Sequence, residues 1–227
     1  MDCHDGKPID SVISGPNFGR NTGTAFAVSS GTLGGALAGA LTGRRSFALS
    51  FGHFTANPPC FEPRSDAPAL TGDELAEARR LANVHATDLI QQLWAGWEKD
   101  PHTSVYSINI PLCETLRRPS VRWTHLWDSE HSQLYHVPSD PVPKGGTHPP
   151  FGMADFDRTH EKRNHSYLNF VPDLNKAMRP ASDDALDPNT DVGAVCLGQI
   201  SITRVRATYA QLSEPSLPVP QCTHRYD

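Results

Sequence analysis

The stretch "SGPNFGRNTG", residues 14–23, decides how the chain reads. It continues the short β-branched run "IDSVIS", Ile9–Ser14, and consists largely of glycine, asparagine and other small or flexible positions. A chain that leaves a strand into such a stretch gathers backbone N–H groups, the arrangement that cradles an anion. Beyond it the composition shifts to alanine and leucine in "SSGTLGGALAGALTG", residues 29–43. Ser29 or Ser30 can cap a helix there, predicted over 30–43, although Gly34, Gly35 and Gly39 each lower its propensity by about 1 kcal/mol relative to alanine. A helix that accepts so much glycine must pack closely against something. "RRSFALSFG", residues 44–52, reads as a second apolar strand, predicted over 45–51. The order strand, loop, helix, strand is the unit of a parallel sheet.

Further along, Thr71 and Glu74 have capping-box spacing, and Leu75, Ala78, Ala82, Leu89, Leu93 and Trp97 recur at three- and four-residue multiples. A helix is predicted over 73–97. "VYSINIPL" alternates with Tyr106, Ile108, Ile110 and Leu112 on one face, which predicts a strand over 104–112. "VRWTHLW" and "GQISITRV" predict two more, over 121–127 and 199–205, while 138–190 has no period and reads as long loops. The order of elements fits an α/β domain whose first part is a parallel sheet and whose later strands are hairpin-like and protruding. Residues 1–212 read as one domain and 213–227 as a proline-rich tail.

Composition narrows the function. The chain has 227 residues, 37% hydrophobic and 20% charged, with a formal charge of −5 and no lysine- or arginine-rich run. A duplex nucleic-acid surface needs a basic stripe, so small ligands or protein partners are expected instead. The five cysteines have no CxxC spacing, which implies neither a zinc site nor a dense disulfide framework. No apolar run approaches the roughly 20 residues of a membrane span, and the N-terminus carries no signal-peptide pattern, so a cytoplasmic location is expected. The eleven histidines show no metal-ligand spacing on a helix, and "DFDRTHEKRNH", residues 155–165, reads as an exposed mixed-charge loop.

The two small-residue stretches share one architecture, because Asn17 leaves the C-terminal end of a strand and Ser30-Gly31-Thr32 opens the next helix. A helix N-terminus offers unpaired N–H donors and roughly half a positive charge, and Ser30 and Thr32 add hydroxyls, so a phosphate would sit there. The same pattern also fits a tight turn with a close helix–sheet contact.

Taken in order, "IDSVISGPNFGRNTG", "SSGTLGGALAG", "RSFALSFG", "SINIPL" and "TDVGAVCLGQISIT" resemble the survival protein SurE family of metal-dependent phosphatases. They match its S-G-x-N-x-G-x-N-x-G loop, its S-G-T helix start, its A-x-S strand, its N-x-P strand end and its closing T-D…G-x-x-S-x-T strand. The resemblance implies a three-layer α/β sandwich with a Rossmann-like, mostly parallel sheet. It also implies a homo-oligomer joined by a protruding hairpin and C-terminal arm, and hydrolysis of phosphomonoesters such as nucleoside monophosphates with a divalent ion. Carried over residue by residue, the metal-ligating asparagine falls on Asn17 and the phosphate-holding segment on Ser30, Gly31 and Thr32, with Gly15, Gly19 and Asn21 lining the loop. Asn17 and Ser30 are the candidate catalytic positions. A side-chain carbonyl is a hard oxygen ligand suited to magnesium, manganese or calcium, and the ion would polarise phosphoryl oxygens and activate water.

The chain departs from the family at the N-D-D-G strand end, whose two aspartates are the family's main metal ligands. Residues 1–8 are too few to hold that strand, so on the order of 60 residues, about two βαβ-sized units, are expected to be absent before Ile9. Asp2 and Asp5 have no apolar strand before them, and Asp10 lies at the opposite end of its own strand from Asn17. At 203–204 threonine is followed by arginine where the family has proline. Two classes of function stay open: a SurE-like phosphatase impaired by the missing aspartates, and a non-catalytic module that keeps the anion loop for ligand or partner binding. A serine hydrolase is a weaker third reading, because no G-x-S-x-G elbow occurs and Ser30 at a helix start has no identifiable histidine partner in the sequence.

Overall fold

The β-branched run before the glycine loop forms the first strand, and it is longer than its sequence suggests. In a computed structural model that describes residues 9–52, 70, 72–129, 135–136, 169–170 and 187–208, β1 spans Ser11–Phe18. It is followed by α1 (Thr24–Ser29), α2 (Gly31–Leu41), β2 (Arg45–Gly52), α3 (Gly72–Gly96), β3 (Val105–Pro111) and β4 (Val121–Thr124). Short strands β5 (Tyr135–His136) and β6 (Asn169–Phe170), then α4 (Asp191–Cys196) and β7 (Ile200–Val205), complete the described elements. The candidate acids Asp2 and Asp5, the loop 155–165 and the tail 213–227 lie outside the described residues.

The main sheet has the order β1-β2-β3-β7-β4. β1, β2 and β3 run parallel, in register from Ser11 opposite Arg45 and from Ser46 opposite Val105. β7 joins β3 antiparallel, and β4 lies parallel to β7. The expected β–loop–α–β unit is therefore present. Three expectations need correction. Gly15, Pro16 and Asn17 belong to β1 and not to a loop after it: Ser14 faces Ala48 and Asn17 faces Ser50, so β1 carries one extra residue against Leu49, a β-bulge. Only glycine fits at position 15, where φ is +115° and a Cβ would stand 2.2 Å from the Leu49 carbonyl oxygen. The helix predicted over 30–43 is preceded by a separate one-and-a-half-turn helix, α1, which has no side-chain cap at Gly23. The strand predicted over 121–127 stops at Thr124 and sits in the main sheet, while β5 and β6 form a separate antiparallel sheet whose second strand lies in the region read as loops.

The two faces of the main sheet differ in chemistry. On one, Phe47, Leu49 and Phe51 of β2 and Tyr106, Ile108 and Ile110 of β3 pack with Trp97, Leu112 and Leu116 against Ala78, Ala82 and Ala86 of α3. The alternation read in "VYSINIPL" thus faces α3. On the other, Ala48 and Val105 pack against Leu33 and Ala36 of α2. The glycines of α2 account for its closeness to the sheet. A Cβ at Gly39 would lie 2.7 Å from Val12 Cγ2, and one at Gly35 would lie 2.8 Å from Ser14 Oγ. These contacts also set direction: four residues down α2 correspond to two residues back along β1, so α2 runs antiparallel to β1. Its N-terminus opens at the strand's C-terminal end. Among the described residues, no helix is long and apolar enough to cross a membrane.

Candidate functional site

At the C-terminal ends of the parallel strands, one row of side chains crosses the sheet. Asn17 is opposite Ser50, Ser50 opposite Asn109, and Asn109 opposite Ser201. Ser50, Asn109 and Ser201 are buried. Polar groups taken out of water seek partners, and the loop after β1 supplies them for Ser50 and for Asn109 Oδ1, whereas Asn109 Nδ2 and Ser201 Oγ are buried without a hydrogen-bond partner among the described residues. Gly19 N–H donates to the Phe51 carbonyl at 2.9 Å. Asn21 donates its backbone N–H to Asn109 Oδ1 at 2.9 Å and its Nδ2 to Ser50 Oγ at 2.6 Å. Thr24 N–H and Ala25 N–H reach the Trp127 carbonyl at 2.8 Å and Ser129 Oγ at 3.1 Å.

A third tether comes from the far end of the chain. Asp191, wholly buried at the start of α4, accepts Gly23 N–H on Oδ2 at 2.8 Å. Its Oδ1 accepts Trp127 N–H at 2.9 Å and Val192 N–H at 2.8 Å. Burial pushes the Asp191 carboxyl above the usual carboxylate range, while the three N–H donors and the charge of Arg20 pull it back.

The residues singled out in the sequence fall into three positions. Gly15 sits in the β1 bulge, before the loop. Asn17 is half-buried with its amide over Gly19, where a Cβ would lie 3.4 Å from Asn17 Nδ2. Asn21 is turned toward the sheet, with its N–H and Nδ2 engaged by Asn109 and Ser50. Ser30 is the N-cap of α2: its Oγ accepts Leu33 N–H at 3.0 Å, and its hydroxyl hydrogen remains able to donate. Among the described residues, a Cβ at Gly31 would meet nothing within 4 Å, so none of them blocks the approach to the first turn at that point. Ser50, Asn109 and Asp191 were given no role from sequence. The N-x-P and T-D matches pointed to the last two, but their task depends on contacts between segments far apart in the chain.

No group of three or more His, Cys, Asp or Glu that could hold a metal ion occurs among the described residues. Asn17 contributes a neutral carbonyl, and both Asp191 oxygens are filled by N–H donors. The described residues therefore do not by themselves fit a divalent ion, which seeks about six oxygen ligands.

The sequence model described as Survival protein SurE matches residues 2–133, more than half of the chain. The crystal structure of the SurE protein from Aquifex aeolicus shares the fold, with a TM-score of 0.50 and 19% identity over 89% of this chain and 61% of that one. The probable tubulin–tyrosine ligase PBY1 of Saccharomyces cerevisiae is 31% identical over 209 residues, 89% of this chain. This chain spans only 25% of that yeast protein, whose name describes the whole. The strand–loop–helix unit, the mostly parallel sheet and the match over 2–133 agree, and the chain belongs to the SurE family.

Proposed function

We propose that this chain builds the phosphate-holding part of a SurE-type phosphomonoesterase site, acting on small substrates such as nucleoside monophosphates. Members of the family are in general divalent-metal-dependent phosphatases or nucleotidases. The observation that carries the reading is that α2, capped by Ser30, runs antiparallel to β1 and so opens its N-terminus toward the C-terminal end of that strand. In that arrangement the free N–H groups of the first turn and the Ser30 and Thr32 hydroxyls meet a phosphoryl group, and the helix dipole favours its charge. Asn17 would supply one oxygen to a metal ion whose carboxylate ligands would have to come from outside the described residues. A chain that binds phosphate without such carboxylates turns phosphomonoesters over very slowly or not at all.

The second reading, a non-catalytic anion-binding or protein-interaction module, is favoured by one observation: Asp191, the buried carboxylate at the loop, has both oxygens committed to the backbone. The ligase activity in the yeast protein's name describes a protein of which this chain spans 25%, and it is not carried over. Phosphate holding is common to both readings and is tested by titrating inorganic phosphate while following amide NMR shifts. Residues 15–32 are expected to respond, weakly in the range of the roughly 0.3–2 kcal/mol dipole term, and Ser30→Ala and Thr32→Ala to weaken the response. A response confined to another region would place the anion elsewhere.

A further inference from the structure

We propose that Asp191 is the positioning residue of the anion loop, fixing the backbone that presents donors to phosphate without touching the phosphate itself. This role rests on the phosphate-holding reading above. The loop between β1 and α1 leads through α1 to the Ser30-capped start of α2, so it must be held against the thermal motion of a glycine-rich chain if the donors there are to keep their place. Its tethers at Asn21 and Thr24 each join it to the sheet or to the segment after β4. Asp191 joins it to the segment after β4 and adds a third, the start of α4. One carboxylate gathers Gly23, 168 residues away, Trp127, 64 residues away, and Val192 of its own helix.

The surrounding contacts hold the carboxylate in place. Thr190 caps α4 through Gly193 N–H at 3.0 Å, and Asp191 N–H donates to the His125 carbonyl at 2.9 Å. His125 N–H in turn donates to the Asn189 carbonyl at 3.0 Å, so the segment leading to Trp127 is clamped on both sides of Asp191. The position also demands a carboxylate. Asp191 has three N–H groups to satisfy and accepts on both oxygens, whereas an asparagine offers one acceptor oxygen and an NH2 that would face an N–H. Hydrogen bonds to an ionised acceptor are roughly twice as strong as neutral ones, and they form here with no exposure to water. Arg20, in the same loop, lies close enough to favour the charged form.

The test combines native-state amide exchange of the wild-type protein with the Asp191→Asn variant. In the wild type, Gly23 and Trp127 amides are expected to exchange at least about tenfold more slowly than unbonded loop amides, although both lie outside helices and strands. In Asp191→Asn, Gly23 loses that protection while amides of β2 and β3 keep theirs, and the phosphate Kd read at residues 15–32 rises at least about tenfold. Wild-type Gly23 exchange as fast as a free loop amide would overturn the assignment. So would a folded Asp191→Asn protein that binds phosphate as the wild type does, because a residue that only supports the fold would lower stability and leave affinity alone. Should the variant not fold, wild-type exchange decides. A wild type that does not respond to phosphate defeats the functional reading, and Gly23 exchange then judges the anchor alone.

Discussion

The two faces of the main sheet are built from opposite materials. Toward α3, β2 and β3 present Phe47, Leu49, Phe51, Tyr106, Ile108 and Ile110, and Phe47 and Tyr106 ring with Trp97 at centroid distances of 5.4 and 4.7 Å. Toward α2, the alternate residues of the same strands are Ser46, Ala48, Ser50, Val105, Ser107 and Asn109, joined by Ser201 and Thr203 of β7, and all are buried. The first face excludes water with large side chains and contributes most of the hydrophobic stabilisation. The second leaves room for a close glycine-bearing helix and offers hydroxyls and amides that grip the loop. One sheet thus separates what holds the fold from what shapes the site, and substitutions on the two faces should fail in different ways.

The largest effect is expected on the α3 face. Phe47→Ala removes a fully buried ring from the centre of the aromatic cluster and should cost about 3–5 kcal/mol in urea unfolding, while residues 15–32 of the folded fraction still respond to phosphate. Equal loss of phosphate response in the folded state would mean that the two faces are not separable. A smaller effect belongs to the α2 face. Asn109→Ala strips the acceptor from Asn21 N–H and should cost about 1–3 kcal/mol, with the loop amides shifting far more than those of α3. Unchanged loop shifts would break the link between that face and the site. The smallest effect sharpens the description of the apolar face, where Tyr106 donates its hydroxyl to Asp100 at 2.9 Å. Burial first, then the Asp100 carboxylate, pushes the Tyr106 hydroxyl up to about 12 from 10.0. A tyrosine raised in the folded state contributes stability that is complete below about pH 10 and is lost as pH rises toward about 12. Ultraviolet titration should show a late-ionising tyrosine in the wild type that is lost in Tyr106→Phe; ionisation of every tyrosine near 10 would contradict the contact.

Much of this division was legible in the sequence. The period-two pattern of 105–112 gave the face toward α3, the glycines of 34–39 announced a close helix, and the ordered motifs pointed to the family. What the sequence hid has specific causes. "SGPN" reads as turn chemistry, yet Gly15 and Pro16 form a bulge inside β1, since a bulge and a turn use the same residues. α1 has six residues and no side-chain cap, too short for a periodic signal. β4 reads as part of a hairpin because its partner is β7, about 80 residues later, and pairing at that separation leaves no local trace. Ser30 was readable as a cap, whereas Asn21 reads as a loop donor and is in fact turned toward Ser50 and Asn109. Asp191 reads only as the acid of the closing T-D motif. Its bond to Gly23 exists only in three dimensions.

The claim that organises these observations is that the chain holds phosphate but lacks, among its described residues, the carboxylates that would hold a catalytic metal. Phosphate release from nucleoside monophosphates, measured with and without a chelator, tests it directly. The 227-residue chain is expected to show no chelator-sensitive turnover. The same chain preceded by a SurE-like segment ending in N-D-D should gain it and then lose most of it on Asn17→Ala. Chelator-sensitive turnover by the unextended chain would contradict the account, because acidic residues of the chain itself would then have to complete the metal site.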